Sequence, residues 1–398
     1  MKLQNFNPPI SGNNAFVSRK RERKTSILFL IDRLGRGGAA QVVINLALGL
    51  DRDKYSPMVC VTRKEPAYGQ DKMLTDAQIP LIELNRSSRK QVGSWKKLWE
   101  ILPEVDILHC HESGSNFWGR LWGSIYRVPI VITHDHTAAD EKPQFVHWSD
   151  RLMSPFSDQI ITVSQHDRNL SINYEKLRPE KVTSIYNGID INRFSMDINQ
   201  VEARQLSGLS QGKYLIGIIA RLAPQKNHKT LLEALSKLPD DILANMECLI
   251  IGTGDLEDTL RQQVCELGLD DKVIFLGERT DVPIILHGID VLTLPSFWEC
   301  LPIVLLEALA VGCPIVASPV GGVPEVLKEA GWPMVDPEDS SALASAIQEV
   351  LCLPNEEKLT LQENGRKLVR TQFSREANVT QVEQLYKNLL AEHGLGRN

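Results

Sequence analysis

No stretch of this 398-residue chain runs for eighteen apolar residues, so nothing in it reads as a membrane-spanning helix. The N-terminus lacks the basic, apolar and small-residue order of a secretory signal. Cysteine is sparse and unpatterned: seven residues, an odd number, with no Cys-x-x-Cys pair. That excludes a disulfide framework or a zinc ribbon and reads as a reducing, cytoplasmic setting. Positive charge is not in excess either, since 44 Lys and Arg against 50 Asp and Glu leave a net charge of −6, which argues against a dedicated nucleic-acid binder. What is present, at 42% apolar and 24% charged residues, is the composition of a globular protein long enough for two domains.

Residues 1–24 are polar and end in the basic run Arg19 to Lys24, which reads as a disordered basic arm, solvated or touching anionic lipid. The apolar strand Ser26 to Ile31 then runs into Gly35-Arg36-Gly37-Gly38 and an amphipathic helix from Ala39 to Leu50. Strand, Gly-rich turn and helix make the anion-cradling start of a doubly wound α/β domain. The third glycine and the acidic residue of a dinucleotide fingerprint are missing, because the next strand reads Val59 to Arg63, so nicotinamide binding is disfavoured. Further strands are expected at Leu81 to Leu84, Ile107 to His111, Ile130 to His134, Gln159 to Val163 and Val182 to Tyr186, with helical patterns between most of them. That alternation predicts a parallel sheet covered on both faces, with ligands at the C-terminal strand ends.

His109, His111 and His134 fall at such ends. The pairs His109/His111 and His134/His136 invite a metal reading, but no carboxylate or cysteine cluster completes a ligand set, so no metal is expected. A satisfied structural histidine is the plain reading for His109 and His136. On the helical segment Arg86 to Pro103, Trp95, Leu98, Trp99 and Leu102 interleave with Arg86, Arg89, Lys90, Lys96 and Lys97. Either the aromatic face lies on an anionic membrane or it faces the core and the lysines are solvated.

The polar stretch 197–213 reads as a linker between a first domain, 25–196, and a second, 214–373. The second begins with the strand Tyr214 to Ala220, followed by Arg221 and Lys226, two cations suited to a diphosphate in the crevice at the strand end. Its other strands are expected at Cys248 to Ile251, Lys272 to Leu276, Val291 to Leu294 and Pro314 to Ala317. The most specific stretch is Leu294 to Gly322. Glu299 follows the aromatic pair Phe297-Trp298, and Glu307 sits among Leu305, Leu306, Ala308 and Leu309, where a lone carboxylate needs a partner. Pro302 suits the first helical turn and disfavours a helical residue before it, which puts Glu299 in a strand-to-helix loop and Glu307 about a turn into the helix. Free N–H groups lie between the two carboxylates, an arrangement suited to a sugar joined to a phosphate.

With its Glu-x7-Glu spacing, the strand Cys313 to Ser318 and the turn Gly321-Gly322-Val323-Pro324-Glu325, the chain resembles the retaining, nucleotide-sugar-dependent glycosyltransferases of the B-type fold, family four (group 1). Cys300 stands where that family usually has Gly. The resemblance implies two Rossmann-like domains facing a cleft, with a last helix, within 374–398, crossing back to brace the first. It implies transfer of a hexosyl residue to a hydroxyl acceptor, sugar or lipid-linked, in polysaccharide, glycan or glycolipid synthesis. Glu307 is then expected at the ribose, Glu299 at the donor hexose, and Arg221 and Lys226 at the diphosphate. Leu301, Ile303, Gly37, Gly38 and the loop Gly277 to Asp281 with Arg279 line the donor, and His134, then His111 and Asn187, lie towards the acceptor. The donor is a substrate and no cofactor is implied. Contact with the inner face of an anionic membrane stays open. The rivals are a sugar-nucleotide epimerase of the same fold and a catalytically silent nucleotide-sugar-binding subunit.

Overall fold

The computed structural model describes residues 23–35, 37–63, 69–87, 91–138 and 141–396. Arg36, Arg89, Lys90 and nearly all of the basic arm lie outside them. Two parallel sheets account for all the strands among the described residues. The first runs β3-β2-β1-β4-β5-β6-β7, built from Thr25–Ile31 (β1), Tyr55–Arg63 (β2), Leu81–Arg86 (β3), Ile107–His111 (β4), Ile130–Asp135 (β5), Gln159–Thr162 (β6) and Val182–Ser184 (β7). The second runs β10-β9-β8-β11-β12, from Tyr214–Ile219 (β8), Met246–Ile251 (β9), Val273–Gly277 (β10), Val291–Leu294 (β11) and Ile315–Ala317 (β12). Strands such as Ile27 to Ile31 and Cys248 to Ile250 are buried along their whole length, as a sheet covered on both faces requires. Helices pack on each side: around Phe29, Ile44 and Ile132 on one face of the first sheet, around Leu28, Trp95 and Leu108 on the other, and around one continuous core in the second unit.

The strand orders reverse between β1 and β4 in the first sheet and between β8 and β11 in the second, and a crevice opens outside the carboxyl ends at each such point. Gly37 and Gly38 follow β1, His111 ends β4, Arg221 follows β8, and the Glu299 loop follows β11. The two switch points therefore collect the chemistry that the sequence spreads over 270 positions or so.

Three readings of the sequence change here. The stretch 197–213 contains a helix, Gln200–Ser207, capped by a reciprocal Asn199/Glu202 box, and Arg204 anchors it to the Gly288 carbonyl (2.8 Å) and the Asp290 carboxylate (2.7 Å). It packs as part of the second unit, because a capping box and an amphipathic turn outweigh its polar composition. In the segment after β3, Trp95 is 1% exposed and Leu98 and Leu102 are fully buried, while Lys97 reaches the Glu83 carbonyl and Lys96 lies near Glu100. Its apolar face, Trp95, Leu98 and Leu102, is core, which is the second of the two sequence readings. Pro302 caps the helix Ile303–Val311 from just outside it instead of opening its first turn.

The chain crosses between units twice, side by side. Ile189 and Ser374 form a parallel bridge, with Ile189 N–H donating to the Phe373 carbonyl (3.0 Å) and Arg375 N–H to the Ile189 carbonyl (2.7 Å). The helix Arg375–Glu392 then returns to the first unit and buries Val379, Val382, Tyr386 and Leu389 in its core. Gly188, beside this junction, has an ordinary φ, and what it lacks is room: a Cβ there would lie 2.5 Å from the Ser374 carbonyl oxygen and 2.6 Å from Asn378 Cβ. Gly188→Ala is expected to cost about 1–3 kcal/mol through overpacking at the junction. A lowered thermal midpoint would show it, whereas an unchanged midpoint would mean that the two crossings separate freely.

Candidate active site

The first wall of the cleft is a helix start. Helix Gly38–Gly49 begins at Gly37, which offers no side chain to its first N–H groups. Opposite, helix Ile303–Val311 begins after Pro302, again with no side-chain cap. The two starts face each other, since a Cβ on Gly38 would touch Ile303 Cγ1 at 3.4 Å. Each leaves orphan N–H groups pointing into the same space, which is an electropositive site made by backbone alone.

Around it the second unit supplies side chains. Lys226, on the turn after β8, donates to Glu299 Oε1 at 2.5 Å, and Ser296 Oγ donates to the same oxygen at 2.7 Å. Glu299 is 6% exposed, and the lysine gives this buried side chain the partner it needs. Arg221 is exposed at the end of β8, with no ion pair among the described residues. Gln225 holds the other side of this loop through Trp298, its amide donating to that residue's carbonyl at 2.9 Å.

The Glu299 loop is held from behind by two glycines. Gly321 has φ +56°, and a Cβ on it would collide with the Glu299 carbonyl. Gly322 N–H donates to the Cys300 carbonyl at 2.6 Å, where a Cβ would meet both that oxygen and Ser164. Cys300 lies beside Asp167 of the first unit, and burial, reinforced by that carboxylate, pushes its thiol well up. From the next helix, Glu325 accepts the backbone N–H groups of Gln165 (3.0 Å) and His166 (2.7 Å) and the Tyr186 hydroxyl (2.7 Å). This clasp across the two units was not legible in the sequence, where a Glu at the start of a helix reads as capping its own helix.

Glu307 is half-buried on the helix Ile303–Val311, and burial pushes its carboxyl up to about 7, with Arg193 working in the opposite direction. The Leu301 side chain is buried in the second core and its carbonyl accepts Asn187 Nδ2 (3.2 Å), so it has only its N–H to give. Arg279, expected near the donor, turns its guanidinium onto Asp281 (2.7 and 2.5 Å) and the Ser207 carbonyl (2.9 Å). That pairing engages Nε and Nη2, and the exposed side chains of Glu278 and Thr280 stand on the same loop.

The first unit contributes a stack of imidazoles. Ring centroids lie 4.4 Å apart for His109/His111, 4.9 Å for His111/His134 and 4.5 Å for His134/His136. His109 Nδ1 meets the Tyr386 hydroxyl at 2.7 Å, and His111 Nδ1 meets His136 Nε2 at 3.0 Å. Both nitrogens of His134 are buried and unpartnered, and His136, read from sequence as merely structural, is the member that reaches solvent. Burial holds His109 down to about 3 and His136 to about 4, and holds His111 and His134 well below their ordinary value, with neighbouring imidazoles adding to it. All four are neutral at pH 7 and suit hydroxyls better than phosphates. His109, His111 and His134 bring nitrogens within 4.8 Å of one another, which keeps a metal reading testable.

Glu307 gives a prediction with a definite sign. Its folded pKa, about 7, exceeds the 4.5 of the unfolded chain, so between those values the folded state holds the extra proton and stability falls as pH rises. Glu307→Gln removes that penalty. The free variant should melt higher than wild type at pH 8 and equal to it below pH 4.5, and a variant less stable at pH 8 would mean that the carboxylate has a partner within the chain.

Two family models match the chain: glycosyltransferase family 4 over residues 36–193 and glycosyl transferases group 1 over residues 199–368. Among curated relatives, a UDP-Gal:alpha-D-GlcNAc-diphosphoundecaprenol alpha-1,3-galactosyltransferase of Escherichia coli is 28% identical over 61% of this chain and 66% of its own length. An uncharacterized glycosyltransferase of Methanocaldococcus jannaschii is 30% identical over 62% and 66%. The matches thus span just under two thirds of these relatives. Among solved structures, Anabaena HepE in complex with UDP-glucose superposes with a TM-score of 0.80 at 24% identity, over 91% of this chain and 99% of that one. Two doubly wound sheets facing a cleft, matched half by half by these models, place the chain in the group 1, family 4 glycosyltransferases, on the B-type fold.

Proposed function

We propose that the protein transfers a hexosyl residue from a nucleoside diphosphate sugar to a hydroxyl acceptor, with retention at the anomeric carbon. The observation that carries this is the meeting of two uncapped helix starts, at Gly37-Gly38 and Ile303, beside Lys226, Arg221 and Glu299. A diphosphate satisfies the orphan N–H groups and the cations together, while Glu299 and Glu307 accept from hydroxyls on either side of it. Lys226 has three donors, so it can keep Glu299 and still take a phosphate oxygen. The relatives' names support the donor class: UDP-Gal for the E. coli enzyme and UDP-glucose for HepE.

In the proposed reaction the bond from the anomeric carbon to the β-phosphate oxygen breaks and the acceptor oxygen bonds the same carbon from the same face. The acceptor proton passes to the departing phosphate. Charge collects on that phosphate, where Arg221 and Lys226 stabilise it more in the transition state than in the bound donor. Glu307 would hold the ribose, Glu299 the hexose, and the backbone of Gly277 to Asp281 the base. Neutral His134, with His111 and His136 around it, would sit towards the acceptor, and Asn187 fixes the loop between the two. Synthesis of a glycan or a glycolipid fits such an acceptor.

A thermal-shift screen with UDP-, GDP- and ADP-sugars should find one donor class that stabilises the chain. With that donor, Arg221→Ala or Lys226→Ala is expected to lower kcat by roughly 10²-fold or more with a smaller change in donor KM. Arg221→Ala is the cleaner of the two, because Lys226→Ala also strands a buried carboxylate. Wild-type kcat in both would remove the cations from the site, and an epimerised donor in place of released nucleoside diphosphate would favour the epimerase reading.

Turnover is expected to survive EDTA, since cations and helix starts can neutralise the phosphates without a divalent ion. Activity lost to the chelator and restored only by added Zn²⁺ or Mn²⁺ would make the imidazole stack a metal site.

A further inference from the structure

Helix Gln144–Met153 is amphipathic the wrong way round for a helix in water. Phe145 is 67% exposed, Trp148 70% and Leu152 74%. Spaced by three and four residues, they fall within about 60° of one another on the outer face. The inner face carries charge. Asp150 is buried there against Arg120 (2.7 Å) and Lys142 (3.0 Å). A surface helix ordinarily buries its apolar stripe and solvates its charges. Phe156, on the turn that follows, is also exposed, as is Tyr174, whose ring meets His147 of the helix edge-on at 5.0 Å. Scattered exposed apolar residues need no explanation, but an aligned stripe of this size marks a docking surface.

Three cations lie beside the stripe, although the chain as a whole is acidic. Arg151 is exposed on the helix and Lys176 beside Tyr174, neither with an ion pair among the described residues. Lys181 sits on the carbonyls of Pro155 (3.3 Å) and Ser157 (2.5 Å), next to Phe156 and again without an ion pair among the described residues. A second copy of the chain meeting this face about a two-fold axis would bring to it the same set of cations and no carboxylate that this face does not itself carry. An anionic bilayer takes both features at once, with aromatic and aliphatic side chains in the headgroup boundary and cations on lipid phosphates.

We propose that this face, centred on Phe145, Trp148 and Leu152, docks the protein onto an anionic membrane surface. Its inner side makes the docking relevant to the site. Lys142 bridges Asp150 of the helix to Asp135 (3.1 Å), the residue after His134, and to Glu175 (2.9 Å). Burial alone would lower the pKa of that ammonium, but three carboxylates outweigh it and hold it above its ordinary value. The membrane-facing helix is thus pinned to the strand that ends at the imidazole stack. On the glycosyl-transfer reading above, this specifies the acceptor as a hydroxyl compound anchored in a lipid leaflet.

The test is co-sedimentation of the full chain with vesicles of phosphatidylcholine, with or without phosphatidylglycerol. Wild type should pellet with the anionic vesicles, less so as NaCl is raised. The variant Phe145→Ser/Trp148→Ser/Leu152→Ser should lose at least tenfold in partitioning, and Arg151→Glu/Lys176→Glu should lose it with the stripe intact. All three positions of the stripe are exposed, so an unchanged thermal midpoint and unchanged nucleoside diphosphate release from the donor in lipid-free buffer are expected. Wild type that stays in the supernatant, or a triple variant that pellets like wild type, overturns the proposal. So does a wild-type dimer that the triple variant dissolves while vesicle binding is nil, since the face would then join two copies. Absent donor turnover in every form, with vesicle binding intact, would instead sink the glycosyl-transfer reading alone.

Discussion

Backbone N–H groups at the start of a helix need acceptors, and two helices in this chain start without any from their own side chains. Glycine at position 37 and proline at 302 both leave the first turn bare. In an isolated helix water would serve. Here the two bare turns are brought to opposite walls of one cleft, close enough for Gly38 to lie against Ile303. Partial positive charge from two helix dipoles then adds in one space. Much of the remaining architecture keeps those two turns facing each other.

Close backbone approach is how this is done. Gly188 lets the two chain crossings touch, Gly321 and Gly322 let the turn after β12 carry the Glu299 loop, and Gly49 lets the returning C-terminal helix pack near Val379. Each is a site where a side chain would intrude, and only at Gly321 does the backbone angle itself require glycine. Glu325 adds a polar clasp by capping the helix Gln165–Asn173 of the other unit. Asn187, donating to the Leu301 carbonyl, makes a second polar contact across the units.

The sequence made the sheets legible because buried parallel strands read as continuous apolar runs, and strands such as Ile107–His111 and Ile130–Asp135 fall where those runs end. Glu299 and Glu307 were visible for a related reason: a carboxylate in apolar surroundings stands out. What the sequence hid depends on pairing between distant positions. Asp281 stands two residues from Arg279, but nothing local gives Arg279 the Ser207 carbonyl, and nothing local gives Tyr386 to His109 across 277 positions. The helix Gln200–Ser207 was hidden by polar composition, although Asn199 and Glu202 spell its cap. The aromatic-basic segment after β3 and the helix Gln144–Met153 have similar residue content, and only packing shows that the first turns its aromatics in and the second turns them out.

That inversion ties the outer surface to the chemistry through charge. A buried ammonium with three carboxylates is tolerated only if each group keeps a partner, and here removing one would leave another uncompensated. Arg120 extends the network to Thr133 and Ser157, so the strand carrying His134 is gripped from both flanks. Ionic contacts with fixed donors and acceptors set the register of the helix against the strand, with Lys142 joining Asp150 to Asp135. The imidazole stack is in this way positioned by the same groups that leave the apolar stripe outside.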